Sequence, residues 1–534
     1  MPSLLISLAA GALQSWGFTA GFGWELQLAA LAWLAWAGAH AASPRAAARL
    51  GYAYGLGWFL AGIWWLYISM HIFGQMAAPL AALAVVVLSA YLALYPAAAL
   101  TLARWISGPA RGDAGSMSAG APLLRQWGAA AGRALVFAAA WGLAEWLRGW
   151  IFTGFPWLST GYAQIEGPLA GYAAWTGVYG IGALAALAAA LIAGMAPGGA
   201  DAPDRAARAG LFGAAALVLL LGWWAGAARF TQDTAAALRI RLLQGNVPQE
   251  MKFDAQKLGQ VLQTNLKMLT AVPADLIVSS ETALPILLDD LPPAMFDTLR
   301  AFSRDSGSHL LIGAAGIKLR PPGEAAQAGA AAQPQLTNSA FGFSPDLNFR
   351  YDKHHLVPFG EFVPYGFRWF VDAMVMPMGD FARAAAAQEP FEVKGERGAL
   401  RVGVNICYED IFGAEIAHGL HAARQPAQIL ANMTNLAWFG DTVALDQHLQ
   451  MARMRSLETQ KPMVRATNTG ATAVIGPDGK LQAALPHMTA GALTVSVRGT
   501  DGETLYVRWG DLPVLAACLL ILALAFAVAR LRGG

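Results

Sequence analysis

Charge, lysine and cysteine are all scarce in this chain. Only 13% of its 534 residues are charged, against roughly 25% in an ordinary soluble domain. Hydrophobic residues make up 56% and aromatics 10%. That excludes intrinsic disorder, which goes with few aromatics and much charge, and it speaks against a wholly soluble protein. Two cysteines exclude a disulfide-rich scaffold and a multi-cysteine zinc or iron–sulfur site. The formal net charge is +2 and neither end is a charged tail, so no nucleic-acid partner is expected. No lysine occurs before Lys252 and none after Lys480. The two ends and the middle therefore differ in kind.

What the ends contain is apolar sequence. A membrane span needs about 20 apolar residues in a row. Seven such stretches precede residue 230, at about 3–20, 24–42, 50–70, 76–103, 129–147, 168–195 and 209–228. An eighth, LPVLAACLLILALAFAVA, follows Asp511. The first lacks the charged leading region of a cleaved signal peptide. Arginines in short loops set orientation. Arg45, Arg49, Arg104, Arg111, Arg125, Arg133, Arg205, Arg208, Arg530 and Arg532 fall on one side, and only Arg148 on the other. Eight spans counted this way put both termini in the cytoplasm. The division expected is a transmembrane part of about seven helices over 1–230, a block over 231–508 on the far side, and a final helix with a short tail over 509–534. In a bacterium the far side is the periplasm.

The central block alternates strand-like and helix-like segments. LRIRLLQGN, ADLIVSSE, HLLIGAAG, NSAFGFS, LRVGVNICYED and AQILANMTN read as strands. Asp254 to Ala271, Pro292 to Ser306 and Asp441 to Thr459 read as helices. GPDGK, from Gly476 to Lys480, reads as a hairpin turn, and the stretch from Arg320 to Gln335 as a flexible loop. The class is α/β. Alternation alone does not separate a doubly wound sheet from a layered sandwich.

Three polar residues follow apolar strands: Glu281 after ADLIVSS, Lys353 in RYDKHHLVPFGEFVP, and Cys407 after LRVGVNI. Ligand sites form at strand ends of α/β sheets. A carboxylate, an ammonium and a thiol together make a nucleophilic set, in which the carboxylate takes the proton and the ammonium favours the anion. Each also has a plain structural reading: a small core hydrophobe for the cysteine, a solvated or capping glutamate, a surface lysine. The pair His354 and His355 carries no metal-ligand spacing.

The motifs settle more than the spacing does. ETALP, YDKHHLVPFGEFVP and CYED, in this order, resemble the nitrilase superfamily, with its Glu–Lys–Cys triad and αββα sandwich. QGNVPQ, SSETALP, NICYED, NLAWFGD, QHLQMARMRSLE, RATNTG and, in the apolar part, GWIFTGFPWLSTGY resemble the bacterial apolipoprotein N-acyltransferase family over nearly the whole chain. The resemblance implies a polytopic α-helical membrane domain of about eight spans carrying an α/β, nitrilase-like αββα sandwich. It implies Cys407 as nucleophile, Glu281 as general base and Lys353 as oxyanion stabiliser, with Glu361, Tyr408 and Glu409 supporting the site. Trp438 matches a lid tryptophan of the family and Phe253 stands in its substrate-binding motif, while Phe362, Phe367 and Trp369 lie in an apolar, methionine-rich segment after Glu361 that reads either as an arm lining the lipid entrance or as a helix packed on the core. No metal or organic cofactor is called for. The expected partners are a phospholipid acyl donor, a diacylglyceryl-apolipoprotein acceptor and the lipid bilayer. The expected place is the bacterial inner membrane, with the catalytic block in the periplasm.

Two departures stand out. The family's motif often runs Lys-Trp where this chain has Lys252-Phe253. It often has Asn-Asp-Ala-Trp where this chain has Asn435, Leu436, Ala437, Trp438. A membrane-tethered amidase acting on a small amide would use the same triad with water as acceptor. A transporter with a degenerate far-side domain is disfavoured, since its ionisable residues belong within spans and the main such candidates here are Glu145 and Arg148.

Overall fold

The computed structural model describes residues 2–18, 23–108, 123–196, 204–252, 254, 256–319, 334–346, 348–368 and 381–533. The chain divides into two compact units. One comprises Met1–Tyr67, Pro79–Ala228 and Trp509–Gly534, the other Ile68–Ala78 and Arg229–Arg508.

The first unit is helical. Among its described residues four helices are long and apolar enough to cross a membrane: Ala78–Ser107, Pro168–Ala193, Arg205–Ala225 and Leu512–Leu531. A bent pair, Pro44–Gly62 with Leu66–Phe73, meets the same standard as one broken span. Helices Pro2–Trp16 and Gly23–Ala39 have 15 and 17 residues. At 1.5 Å per residue they fall short of a hydrocarbon core about 30 Å thick. Helix Leu123–Arg148 is 26 residues long but carries Arg133, Glu145 and Arg148. Helix starts follow local chemistry. The Ser43 hydroxyl accepts from the Ala46 N–H at 3.2 Å ahead of Pro44, and the Asp204 carboxylate accepts from the Ala207 N–H at 2.8 Å.

Glu145 and Arg148 are buried, and they organise the segment after their helix. Arg148 donates to the carbonyls of Phe155 (2.6 Å) and Trp157 (2.8 Å), to the Ser159 hydroxyl (3.0 Å) and to Glu145 (3.3 Å). Glu145 accepts from the Thr160 N–H at 2.9 Å. The arginine that stood alone on one side of the charge count is thus a structural staple. GIGALA, which matches a dinucleotide-binding glycine pattern, lies in the helix Ala173–Ala193. There Ile181, Ala185, Ala186, Ala188 and Ala189 are fully buried, as small-residue helix packing requires.

The second unit contains two sheets. The strands are β1 (Thr231–Gln244), β2 (Leu276–Val278), β3 (Leu284–Leu287), β4 (His309–Leu319), β5 (Pro334–Phe343), β6 (Asn348–Asp352), β7 (Phe391–Gly395), β8 (Gly398–Ile406), β9 (Ile429–Thr434), β10 (Met463–Thr467), β11 (Ala473–Ile475), β12 (Leu481–Ala484) and β13 (Gly491–Gly502). One sheet runs β13-β1-β2-β4-β5-β6 with β3 on β4, the other β12-β11-β10-β9-β8-β7. Each has a parallel centre, β1-β2-β4 and β8-β9-β10, with antiparallel strands outside it.

One core joins the sheets: Leu238, Ile240, Leu242 and Val278 from the first pack with Val402, Ile406, Ala431 and Val464 from the second. Helices Leu258–Thr270 and Pro293–Ser306 cover the outer face of the first sheet through Leu262, Leu269 and Leu299. Helices Gly413–Ala422 and Ala444–Thr459 cover the second through Ala417, Leu420 and Ala452. Four layers, helix–sheet–sheet–helix, result. The Gly476–Lys480 turn closes the β11–β12 hairpin, with the Gly476 N–H donating to the Lys480 carbonyl at 2.8 Å. Of the expected loop from Arg320 to Gln335, 320–333 lie outside the described residues, while Pro334 and Gln335 already belong to β5.

Close helix crossings rest on glycine. A Cβ at Gly57 would lie 2.0 Å from the Leu8 carbonyl oxygen, and one at Gly11 1.8 Å from that of Tyr54. Gly57→Val is therefore expected to lower the melting temperature in detergent, since overpacking costs about 1–3 kcal/mol. Gly128→Ala, inside the helix Leu123–Arg148 where nothing lies within 4 Å, should not lower it, since alanine is the better helix former. Equal melting curves for both would refute this packing.

Candidate active site

Glu281, Lys353 and Cys407 come from three separated strand ends. Glu281 stands three residues beyond β2, on a loop pressed against β4: a Cβ at Gly313 would sit 2.5 Å from the Ser280 carbonyl oxygen and 3.0 Å from the Glu281 Cα. Glycine at that position is what lets the loop close down. The following residue, Thr282, has φ +50°. Lys353 directly follows β6, its N–H donating to the Asn338 carbonyl at 2.8 Å. Cys407 directly follows β8 and opens a short helical turn, Cys407–Ile411. It too is left-handed, with φ +52°, a conformation a non-glycine residue holds only where its surroundings enforce it.

The charged groups form one connected set. Lys353 is 1% exposed; its ammonium lies 3.5 Å from Glu281 and 2.9 Å from Glu361. The side-chain amide of Asn338 donates to Glu281 Oε1 at 2.8 Å and to Glu361 Oε1 at 2.7 Å. Glu361 also accepts from the Val357 N–H at 2.8 Å. Glu281 Oε2 accepts from the Asn435 N–H at 2.9 Å. Burial alone would lower the Lys353 ammonium, but the charges of Glu361 and Glu281 outweigh it and hold it above its ordinary range.

The thiol behaves otherwise. Burial, reinforced by the Glu281 charge, pushes Cys407 up to about 12, against the pull of Lys353. The sequence suggested that the ammonium would favour the anion. That pull is present in the folded protein, but desolvation outweighs it, which fits a thiol that gives up its proton to the carboxylate as it attacks.

The turn is held on both sides. Glu409 accepts from the N–H groups of Ile406 (2.6 Å), His354 (2.6 Å) and His355 (3.2 Å) and from the Tyr351 hydroxyl (2.9 Å). Burial still raises its carboxyl to about 7, with those donors opposing. Asp410 is paired with Arg465 from β10 at 2.7 Å and with His448 at 2.6 Å. Arg465 also donates to Asn432, whose amide reaches the Cys407 carbonyl at 3.3 Å. Burial raises Asp410, but the charges of His448 and Arg465 bring it below the ordinary range. Arg465 donates to His448 Nδ1 as well, at 2.5 Å. Burial lowers the His448 pKa, with the Asp410 charge opposing.

The other expected residues fall as follows. Tyr408 is buried beside His355 and Phe412. Trp438 lies on a short turn, Ala437–Phe439, with its ring 6.0 Å edge-on to that of Phe73. Phe362 is half-buried under the Arg383 guanidinium. Phe367 is exposed and packs edge-on to Phe359 at 5.5 Å. Phe253 and Trp369 lie outside the described residues. The sequence reading missed Asn338, Asn435, Asp410, His448 and Arg465. Their one visible signal is amides and charges inside or just after buried strands, which must find partners.

Comparison with known proteins agrees along the whole chain. Residues 10–191 match the apolipoprotein N-acyltransferase N-terminal domain, and residues 239–504 match the carbon-nitrogen hydrolase family. An apolipoprotein N-acyltransferase of Ralstonia nicotianae is 49% identical, covering 98% of this chain and 93% of its own. One of Bordetella bronchiseptica is 40% identical (98% and 95%), and one of Nitrosomonas europaea 36% (99% and 98%). With identity at this level from end to end, and a carbon-nitrogen hydrolase unit joined to apolar helices, the chain belongs to the apolipoprotein N-acyltransferase family of acyltransferases.

Proposed function

We propose that this protein N-acylates the α-amine of the terminal S-diacylglyceryl-cysteine of apolipoproteins, with a membrane phospholipid as acyl donor. The observation that carries the reading is the Glu281–Lys353–Cys407 set, its two charged members buried, in a chain that aligns from end to end with apolipoprotein N-acyltransferases. That alignment leaves no reason to keep the small-amide hydrolase reading.

Cys407 Sγ attacks the ester carbonyl while Glu281 takes the thiol proton. Concerted removal fits a thiol raised to about 12. Lys353 meets the charge developing on the carbonyl oxygen, with a backbone N–H near Tyr408 as second donor. The ester C–O bond breaks, Glu281 returns the proton to the alkoxide, and a lysophospholipid leaves behind a thioester. The lipoprotein α-amine then attacks the thioester carbonyl and gives its proton to Glu281. The C–S bond breaks, and the thiol is restored with the amide product. Glu361 and Asn338 keep Lys353 and Glu281 in register throughout.

The reading sets the protein in the bacterial inner membrane. We count helices Pro2–Trp16, Gly23–Ala39 and Leu123–Arg148 as spans alongside the four long apolar helices and the bent pair, eight in all. Both termini are then cytoplasmic and 231–508 periplasmic. The burial of Arg148 supports this, because the lone arginine opposing the count is not in a loop. In this reading Phe253, Phe362, Phe367, Trp369 and Trp438 are the residues that meet lipid, with 362–368 facing the outer leaflet. The exposure of Tyr365 and Phe367 supports that role.

Four outcomes are expected. Mass spectrometry after incubation with phospholipid should find an acyl adduct on Cys407 in the wild type and none in Cys407→Ala. Lys353→Arg, which replaces a compact ammonium with a planar fork, should slow adduct formation by at least ~100-fold. Wild-type N-acylation by Cys407→Ala would end this mechanism. A reporter active only in the periplasm should be silent when fused after Gly534 and active when inserted near Ala328; the reverse pattern would overturn the topology. Tyr365→Ser with Phe367→Ser should slow thioester formation from phospholipid while Cys407 keeps its reactivity toward a small water-soluble alkylating agent. Parallel loss of both would place the segment in the domain's packing instead.

A further inference from the structure

The catalytic unit buries a second lysine beside Glu281. Lys252 ends the short helix Gln249–Lys252 and is as deeply buried as Lys353, at 1% exposed. Its ammonium donates to the Glu281 carbonyl oxygen at 3.2 Å. That carbonyl belongs to the peptide leading into Thr282, whose φ is +50°. The helix is tied to the same corner from its other end, since the Asn435 amide donates to the Gln249 side chain at 2.9 Å. Asn435 also supplies the N–H that Glu281 Oε2 accepts.

An ammonium is costly to bury, and a single carbonyl does not neutralise it. The charges around Glu281 give a reason for its presence. Lys353 faces it at 3.5 Å, Glu361 is joined to it through Asn338, and the Cys407 thiol and the His448 ring both feel its charge. Glu409 acts on the same lysine, Lys353. Three carboxylates therefore share one ammonium in a desolvated space, before Glu281 is asked to accept a proton.

We propose that Lys252 is a positioning residue for the general base: it clamps the strained turn that presents Glu281 and supplies a second positive charge to the carboxylates gathered there. The proposal rests on the reading of Glu281 as that base. Burial draws the Lys252 ammonium down to about 8, with the Glu281 charge opposing, so it is still mainly charged at neutral pH.

Losing the charge and the clamp must make proton removal from the Cys407 thiol harder at a given pH, which moves the acid limb of thiol reactivity to higher pH. The experiment follows Cys407 alkylation by iodoacetamide against pH in the full-length protein in detergent. Three variants are compared. Lys252→Gln keeps an N–H donor without the charge, Lys252→Met keeps neither, and Lys252→Arg keeps the charge. The acid limb of Lys252→Gln should rise by about one pH unit, and its rate near neutrality should fall about tenfold. Lys252→Met should shift at least as far, and Lys252→Arg should hold the wild-type limb. A wild-type limb in Lys252→Gln would overturn the proposal. So would failure of both neutral variants to fold while Lys252→Arg folds, which would mark the lysine as structural. Acyl transfer by Glu281→Gln separates the two readings. Retained transfer would sink the role of Glu281 itself, whereas an inactive Glu281→Gln beside an unshifted Lys252→Gln would sink only the role of Lys252.

Discussion

The structure turns on keeping an ammonium and its carboxylates dry. Lys353 is buried at the edge of a sandwich whose interior is Leu, Ile, Val and Ala. An unpaired charge in such a place is strongly destabilising. Every element around it is arranged to prevent that. The end of β6 delivers the lysine, the segment beyond it returns Glu361, and the loop after β2 delivers Glu281. Asn338 on β5 ties the two carboxylates together. A site assembled this way from four chain segments has little freedom to relax, which is what transition-state stabilisation by fixed charges requires.

The same rigidity allows strain at two points. Cys407 and Thr282 both hold left-handed backbone conformations without being glycine. The cysteine turn is anchored through Glu409 on one side and through Asp410, His448 and Arg465 on the other. The glutamate loop is anchored by the bare backbone of Gly313 and by Lys252. Strain of this kind is kept only where packing and hydrogen bonds over-determine it. Here it sets the thiol and the carboxylate at the ends of their strands instead of continuing them.

Desolvation then decides how the chemistry starts. A thiol raised to about 12 is not a standing nucleophile, so reaction has to be coupled to proton transfer. That suits the two-step transfer proposed above, in which a thiol that ionises only as an ester carbonyl approaches would be protected from adventitious electrophiles and one carboxylate would serve both half-reactions.

The sequence by itself determined a good deal. Apolar runs and missing charge divided the chain into a helical part and an α/β part, because a bilayer and a water-facing fold demand different compositions. Strand alternation located β1, β2, β4, β5, β8 and β9, and the motifs picked out Glu281, Lys353 and Cys407. The number of spans was less legible, since Pro2–Trp16 and Gly23–Ala39 proved short and Leu123–Arg148 polar. The pull of Lys353 on the thiol was legible but the desolvation that outweighs it was not, because neighbouring charge is visible in a motif and burial is not. Asn338, Lys252 and the Asp410–His448–Arg465 cluster were not singled out. Each acts across more than twenty residues of chain, and only the pairing of sequence-distant strands within each sheet, with the helices laid on it, brings those segments together. Local sequence set which residues could carry charge; the tertiary fold decided which charges meet, and how much water is left between them.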